Sequence, residues 1–529
     1  MDSNLFLAYG LLRWPTPVVL IVLLLSSISG TDAQPRCGTY LLTSSQALHK
    51  TVNARQSTAS FQIGDPLTVP AFSFRQGLRY QTTTTCRWVG EHCYIFVEDE
   101  IWKTPRITQK GIESLAVAFD QSTPIHADQG IYQTTTGIFG MPPDVDGDPR
   151  IFIVVLDIID SVISGTFSGY YDTENQQPPI SREIVYVDSN PIDLDSNLAR
   201  ATLAHEFQHM LHWAADPDEN KWLDEGCSEY AELACGYKDT TATSASGYLQ
   251  VPNLLRTSDP SLLIGSSTGI SSEASWGSNG FFLPILFDQS FLLVTYIAEQ
   301  YGHPAIGSLV ADPENGTASV DNMLGGLEYE ERFWDVWGNW ISAVFLDQEE
   351  GELGFRQLDV GKVRRDTLGV PSDMQTYSLQ LWGVDYFVTD GEAGVAGLSA
   401  DVSSQSDLMA VIINSVEGGY TSSAITIPGG SVRRIGSYGP GHRVLAFTRT
   451  SDRSEVYSFT LSPMEGTTPA ACDFDASGLV DLSDFIEFVS IFGKAANQPG
   501  YDSSMDLNGG GSVDFADFLI FASNFGTFP

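Results

Sequence analysis

Positive charge is what this chain has least of. Its 27 Lys and Arg stand against 66 Asp and Glu, a formal net charge of −39, which argues against nucleic acid and anionic membrane surfaces as partners because both need clustered cations. Cysteine is also scarce, and six in 529 residues exclude a dense disulfide framework as the basis of folding. Apolar runs of membrane-spanning length are missing as well. The longest near the N-terminus, Val18 to Leu25, falls short of the roughly 20 residues a span needs.

That short run has a different use. Arg13 supplies a weak positive flank, and small or polar residues follow from Ser26 to Ala33, the pattern of an export signal over 1–33 with cleavage between Gly30 and Gln34. An uncleaved anchor is the alternative. The expected location is secreted or extracellular, with no membrane association after signal removal. A hydrophobic content of 42% is that of a globular protein, and the length fits roughly three domains at about 150 residues each.

Oxidising surroundings bear on the cysteines. Cys86 and Cys93 flank Arg-Trp-Val-Gly-Glu-His, which reads as a turn between two β-rich runs and predicts a short-loop disulfide. Cys227 and Cys235 could not bridge within one unbroken helix, because eight residues span about 12 Å. Their pairing, and that of Cys37 and Cys472, is left open.

Residues 34 to about 100 are β-rich, and 108–120 have helical character. Arg150 to Leu156 is the strongest strand by β-branched content. Ser181 to Val187 reads as a further strand at a sheet edge above a cleft. Helix follows from Leu198 to Trp213 and again from near Trp222, with Asp216-Pro217 between them. Residues 281–302 read as core helix, and Trp334, Trp337 and Trp340 form a stripe at a spacing of three, also core. From about 375 the texture alternates with Gly-rich turns, as in a small β-sandwich, and Met464 to Ala470 reads as a linker.

The densest chemistry is His205-Glu206-Phe207-Gln208-His209. On a helix two histidines four apart share one face and can reach a single ion, with the glutamate beside them. Catalytic zinc takes three protein ligands and leaves one position for water. His212 is about 10 Å along the axis from His205, too far for one ion to use all three. Glu225, on the second helix and sixteen residues after His209, is the better third ligand. Glu229 could then accept a hydrogen bond from the outer nitrogen of a ligating histidine; exchange of roles between Glu225 and Glu229, or a part for Glu232, stays open.

His205-Glu206-Phe207-Gln208-His209 followed by Trp222-Leu223-Asp224-Glu225-Gly226 and Glu229-Tyr230-Ala231-Glu232 resembles the gluzincin metallopeptidases, closest to the hyicolysin-like secreted family. The resemblance covers 198–235 and implies Glu225 as a zinc ligand and a zinc metallopeptidase domain over 34–374. Tyr230, Tyr237 and Tyr248 are near the motif, but none is marked as the family's transition-state residue.

The last sixty residues hold a repeat. Asp473, Asp475, Ser477, Asp481 and Asp484, then Asp506, Asn508, Asp514 and Asp517, set oxygen donors at loop positions one, three, nine and twelve with Gly at six, as two calcium ions would require. Ser477 fills position five of the first loop and Gly510 that of the second. These loops resemble type I dockerin modules, which implies a cohesin-like partner for 471–529.

The expected architecture is therefore α+β and multidomain: a zincin-like domain of mixed sheet and active-site helices, a β-sandwich-like domain over 375–463, a linker at 464–470 and an EF-hand-like calcium module. The expected function is a secreted zinc endopeptidase acting on proteins or peptides, with Glu206 as general base for a zinc-activated water. An aminopeptidase is disfavoured because no Gly-x-Met-Glu-Asn element occurs. The alternative from another class is a non-catalytic calcium-binding surface or matrix-adhesion protein with a vestigial zinc helix.

Overall fold

The structure is a computed structural model that describes residues 36–42, 60–159, 166–238 and 283–349 and, from 351 to 528, all but short stretches. The export signal, Tyr248 and residues 465–470 lie outside the described residues. The described residues are α+β with three sheets.

The first sheet has seven strands: β1 (Arg36–Cys37), β2 (Pro66–Ser73), β3 (Leu78–Val89), β4 (Cys93–Glu98), β5 (Ile151–Leu156), β6 (Phe167–Tyr171) and β7 (Ile184–Asp188), in the order β1-β6-β7-β5-β4-β3-β2. Its centre, β4, β5 and β7, is parallel. Every residue of β5 is buried, which explains its unbroken apolar run, since a central parallel strand is covered on both faces. The strand expected at the edge is in fact interior: β7 is buried throughout and lies between β5 and β6. Ile184-Val185-Tyr186-Val187 is apolar on both faces, and the polar residues that suggested alternation precede it. Beyond β6, the edge is completed by β1, which pairs with it in parallel.

Helices α1 (Gln109–Asp120), α2 (Ile131–Phe139) and α3 (Asn197–Ala215) follow in chain order. The Ser196 hydroxyl caps α3 by accepting from Ala199 N at 3.2 Å. The helix stops at Asp216, held extended by the following Pro217. Phe207 on α3 packs on the rings of Phe119 and Tyr132, centroids 5.1 and 5.7 Å away. The other side of α3 lies on β6 and β7, and Gly169 permits this approach: a Cβ there would stand 2.5 Å from both Thr202 Cγ2 and the Tyr186 carbonyl oxygen.

Helix α4 (Lys221–Ala234) packs between α3 and α5 (Leu283–Tyr301); α6 (His303–Val310), α7 (Thr317–Gly326) and α8 (Phe333–Leu346) complete the helical part. The tryptophan stripe is core: Trp337 and Trp340 are fully buried and their rings stack at 4.6 Å.

The β-rich segment begins with β8 (Asp366–Leu368), followed by β9 (Gln375–Leu379), β10 (Val384–Gly391), β11 (Gly397–Ser403), β12 (Leu408–Val416), β13 (Gly419–Ile427), β14 (Val432–Ser437), β15 (Gly441–Thr448) and β16 (Glu455–Met464). These form a five-stranded sheet, β13-β12-β15-β10-β8, and a four-stranded sheet, β14-β11-β16-β9. Met464 ends β16 instead of opening a linker, because it pairs with Gly397. β12 is buried on both faces: Leu408, Ala410 and Ile412 join Phe447, Tyr457 and Phe459 in one core. The alternate residues Met409, Val411 and Ile413 join Trp337 and Trp340 in the main core. The sandwich and the helical part thus share a hydrophobic layer.

The tail carries α9 (Leu482–Ser490) and α10 (Phe515–Asn524) around a separate core that includes Phe474, Val480, Phe488, Leu507, Val513 and Phe521. Its two repeats exchange backbone bonds. Val480 N donates to Thr527 O at 3.0 Å, and Val513 N to Lys494 O at 2.9 Å.

The Cys86–Cys93 disulfide does not form. A bulge after Cys86 sets that residue opposite Phe96, and the two thiols donate elsewhere: Cys86 to the Trp88 carbonyl at 3.3 Å, Cys93 to Asp120 at 3.8 Å. All six cysteines are buried free thiols.

Gly226 generates a test of the α4–α5 contact. A Cβ there would meet Val294 Cγ2 at 2.7 Å and the Ser290 carbonyl oxygen at 2.8 Å, and a carbonyl in a helix cannot swing away. Replacing glycine by alanine inside an open helix gains about 1 kcal/mol, whereas overpacking costs about 1–3 kcal/mol. Gly226→Ala is therefore expected to lower the thermal unfolding midpoint; a rise would show that the contact gives way freely.

Candidate metal centre

The α3 helix buries an unusual amount of polarity. His205, Glu206, Gln208, His209 and His212 are all enclosed, and such groups are tolerated only when partnered. Partners come from α4, whose Asp224, Glu225, Ser228 and Glu232 face them. His205 Nε2 lies 3.3 Å from Glu225 Oε2, and His209 Nε2 lies 3.4 Å from the same oxygen. Histidines one helical turn apart and a carboxylate on the neighbouring helix thus aim at one point.

The outer nitrogens are held too. His205 Nδ1 is 2.9 Å from Glu232 Oε1, and His209 Nδ1 is 3.0 Å from Asp224 Oδ1. Each carboxylate would accept a hydrogen bond from Nδ1–H, leaving Nε2 with its lone pair facing inward. The place expected for Glu229 is therefore filled by Glu232. Glu229 stands 3.9 Å from His205 Nδ1 and is ion-paired with Lys238. His212 turns to Asp224, 3.2 Å away. Tyr230 engages His303 at 3.0 Å.

Electrostatics follow from burial. Removal from water raises the pKa of the Glu206 carboxyl above its ordinary range, with the nearby His205 and His209 opposing that shift. Burial also acts on Asp224 and Glu225, but there the facing imidazoles win and lower both pKa values.

A fourth donor joins from far away in sequence. Cys37 Sγ is 3.4 Å from His209 Nε2 and 3.6 Å from Glu206 Oε2. Donor atoms of Cys37, His205, His209 and Glu225 all lie within 4.8 Å of one another, and all four residues are buried. Zinc–nitrogen and zinc–oxygen bonds of about 2.0–2.2 Å at tetrahedral angles put neighbouring ligand atoms about 3.3–3.6 Å apart, which the distances from Glu225 Oε2 to the two Nε2 atoms match. Glu225 Oε1 and Glu206 Oε1 are buried without hydrogen-bond partners. Nitrogen, sulfur and one carboxylate form a donor set suited to zinc, so the residues fit that ion.

Sequence reasoning missed Asp224, Cys37 and Thr39. Asp224 was open to discovery, because it precedes Glu225 and helical geometry turns the two toward adjacent histidines. Cys37 and Thr39 had no local signal.

In the tail, donor atoms of Asp473, Asp475 and Asp484 also lie within 4.8 Å of one another. Asp484 Oδ1 accepts from Asp475 N at 3.2 Å, and Asp517 Oδ1 accepts from Asn508 N at 2.9 Å. Asp481 and Asp514 are the N-caps of α9 and α10, accepting from Ser483 N and Ala516 N at 2.8 Å. Ser477 N and Gly510 N each donate to the carboxylate at position one, Asp473 at 3.0 Å and Asp506 at 2.9 Å. The loops are thus wound alike.

No family model matches the chain. Among curated proteins, the neutral metalloprotease ShpI of Staphylococcus hyicus is 24% identical over 300 residues, covering 52% of this chain; the chain spans 61% of that protein's length. Two matched solved structures are a Yersinia pseudotuberculosis-derived mitogen and the pre-peptidase C-terminal domain of a Bacillus anthracis collagenase. The mitogen is 15% identical, covering 18% of this chain and 89% of its own, with a TM-score of 0.16. The collagenase domain is 11% identical, covering 19% and 95%, with a TM-score of 0.13. Neither carries a fold assignment.

Asp224→Asn removes the anion from His209 Nδ1 while keeping the shape. Zinc affinity measured by chelator competition is expected to fall roughly 10–100-fold, as for other outer partners of metal-bound histidines. An unchanged affinity would mean that Asp224 does not orient the ligand.

Proposed function

We propose that the chain is an exported zinc-dependent endopeptidase of hyicolysin-like type, with His205, His209 and Glu225 as zinc ligands and Glu206 as general base. The observation that carries this reading is the convergence of His205 Nε2 and His209 Nε2 on Glu225 Oε2 in a buried site. The likeness to a neutral metalloprotease supports it.

Zinc bound there would supply Lewis-acid polarisation of the scissile carbonyl and acidify the attacking water. The chain's own residues do the rest. Glu232 and Asp224 hold the two imidazoles in register from behind. Glu206, one residue from a ligand and with an oxygen unpartnered, takes the water's proton and delivers it to the leaving amine. Its burial helps, because removal from water makes a carboxylate more basic. Peptide substrates fit this chemistry, and among the described residues no helix is long and apolar enough to cross a membrane.

The test is Glu206→Gln. Zinc should stay bound while peptide hydrolysis falls by about 10²–10⁴-fold, the range for loss of a general acid–base group. Equal turnover would remove Glu206 from the reaction, and a chain that binds calcium but no zinc would favour a non-catalytic calcium-binding surface protein.

The tail reading is of the same kind. Two calcium ions, held through Asp473, Asp475, Ser477, Asp481 and Asp484 and through Asp506, Asn508, Asp514 and Asp517, would neutralise carboxylates that otherwise repel one another. Leu482, Ile486 and Val489 on α9, and Phe515 and Leu519 on α10, are half or more exposed, which supports a docking role toward a cohesin-like protein. In the full chain, amide exchange over residues 473–526 should slow on adding calcium and recover on chelation. Identical exchange in both states would exclude calcium as the ordering ligand.

A further inference from the structure

We infer that Cys37 is a fourth ligand to the metal of this centre, so that the chain carries its own occupant of the position a catalytic water would take. The inference rests on the metallopeptidase reading above and adds to it a residue from the far end of the described chain.

Three independent observations converge. The first is position: Cys37 Sγ is 3.4 Å from His209 Nε2, and its donor atom belongs to the same buried group as those of His205, His209 and Glu225. Three protein ligands leave a catalytic zinc ion open to water, and four close it. The second is how the sulfur is anchored. Thr39 N donates to Cys37 Sγ at 3.2 Å, a backbone contact that holds the sulfur within the buried donor group. The third is what the flanking residues do. Thr39 Oγ1 donates to Glu206 Oε2 at 2.8 Å and accepts from Tyr171 N at 2.7 Å, so the same short segment engages the general base.

The backbone of the segment fits the same role. Arg36 and Cys37 add to β6 as a parallel strand, and Gly38 N donates to Gly169 O at 2.9 Å. Without β1, the edge of β6 beside α3 would present unpaired N–H and C=O groups, the usual template for an extended peptide. Residues 36–39 therefore fill three places at once: a peptide's place on the strand edge, a water's place at the metal and a proton's place at Glu206.

A chain in this state is latent. Release breaks only the coordinate bond to sulfur. Solvent water fills the vacated position, the thiolate takes up a proton from solvent, and no electron is transferred. If the released form is below about 10% of molecules, deleting the thiol raises turnover roughly tenfold or more, because activity scales with the competent fraction.

The experiment replaces zinc by cobalt in the full-length chain. The parent should show a near-ultraviolet thiolate-to-cobalt charge-transfer band. Cys37→Ala and, as a gentler change, Cys37→Ser should lose the band and keep stoichiometric metal. In the zinc forms, both variants should hydrolyse a quenched-fluorescence peptide mixture faster than the parent, and adding Glu206→Gln to Cys37→Ala should abolish the gain. The band is read on the parent itself, so a variant that fails to fold leaves the proposal exposed. Cobalt bound without a thiolate band overturns the proposal and leaves the metallopeptidase reading standing. A band with no gain of turnover in folded variants overturns latency. A parent that binds no metal overturns both.

Discussion

Everything around the candidate metal centre depends on enclosing polar and ionisable side chains between two helices. Moving an ionised group out of water costs several kcal/mol even after relaxation, and α3 does this with His205, Glu206 and His209 within five residues. The cost is offset from α4: Glu225 between the histidines, Asp224 and Glu232 behind them. That arrangement needs the helices close together and close to the sheet. Gly169 lets α3 approach β6, and Gly226 lets α5 back α4. Small residues at two places thus set the spacing on which the donor geometry relies.

Much of this was legible because it is local. A helical period puts His205 and His209 on one face, and a second helix after a proline break brings Glu225 within reach. The unbroken apolar run of β5 reads directly as a central strand, and the tryptophan stripe as core. The repeat is legible for the same reason, since its donors sit at fixed offsets in a short loop.

What escaped was non-local or depended on register. Cys37 meets Glu206 across 169 positions, and only the pairing of β1 with β6 brings them together. The expected disulfide does not form because the hairpin register sets Cys86 opposite Phe96, three residues along β4 from Cys93. The strand at Ile184–Asp188 was expected at an edge, but β6 and β1 lie outside it. Glu229 and Glu232 are three apart on one helical face, and the buried Lys238 contacts both, leaving Glu232 the nearer of the two to His205 Nδ1. No spacing rule contains that cation.

The sandwich and the tail stand in different relations to the centre. Residues of β12 and β15 share the main core with α8, so damage to that sheet is felt by the helices that back α4. The tail has its own core. The charged contact from Lys494 to Glu330 spans 4.0 Å, with Glu330 87% exposed, and a surface pair of that kind contributes little in water. Its donor groups also differ: carboxylate oxygens of Asp473, Asp475 and Asp484, against nitrogen, sulfur and carboxylate in the cluster of Cys37, His205, His209 and Glu225. The tail's core is thus separate from the one around α3, whereas residues 36–39 touch the buried cluster directly through Cys37 and Thr39.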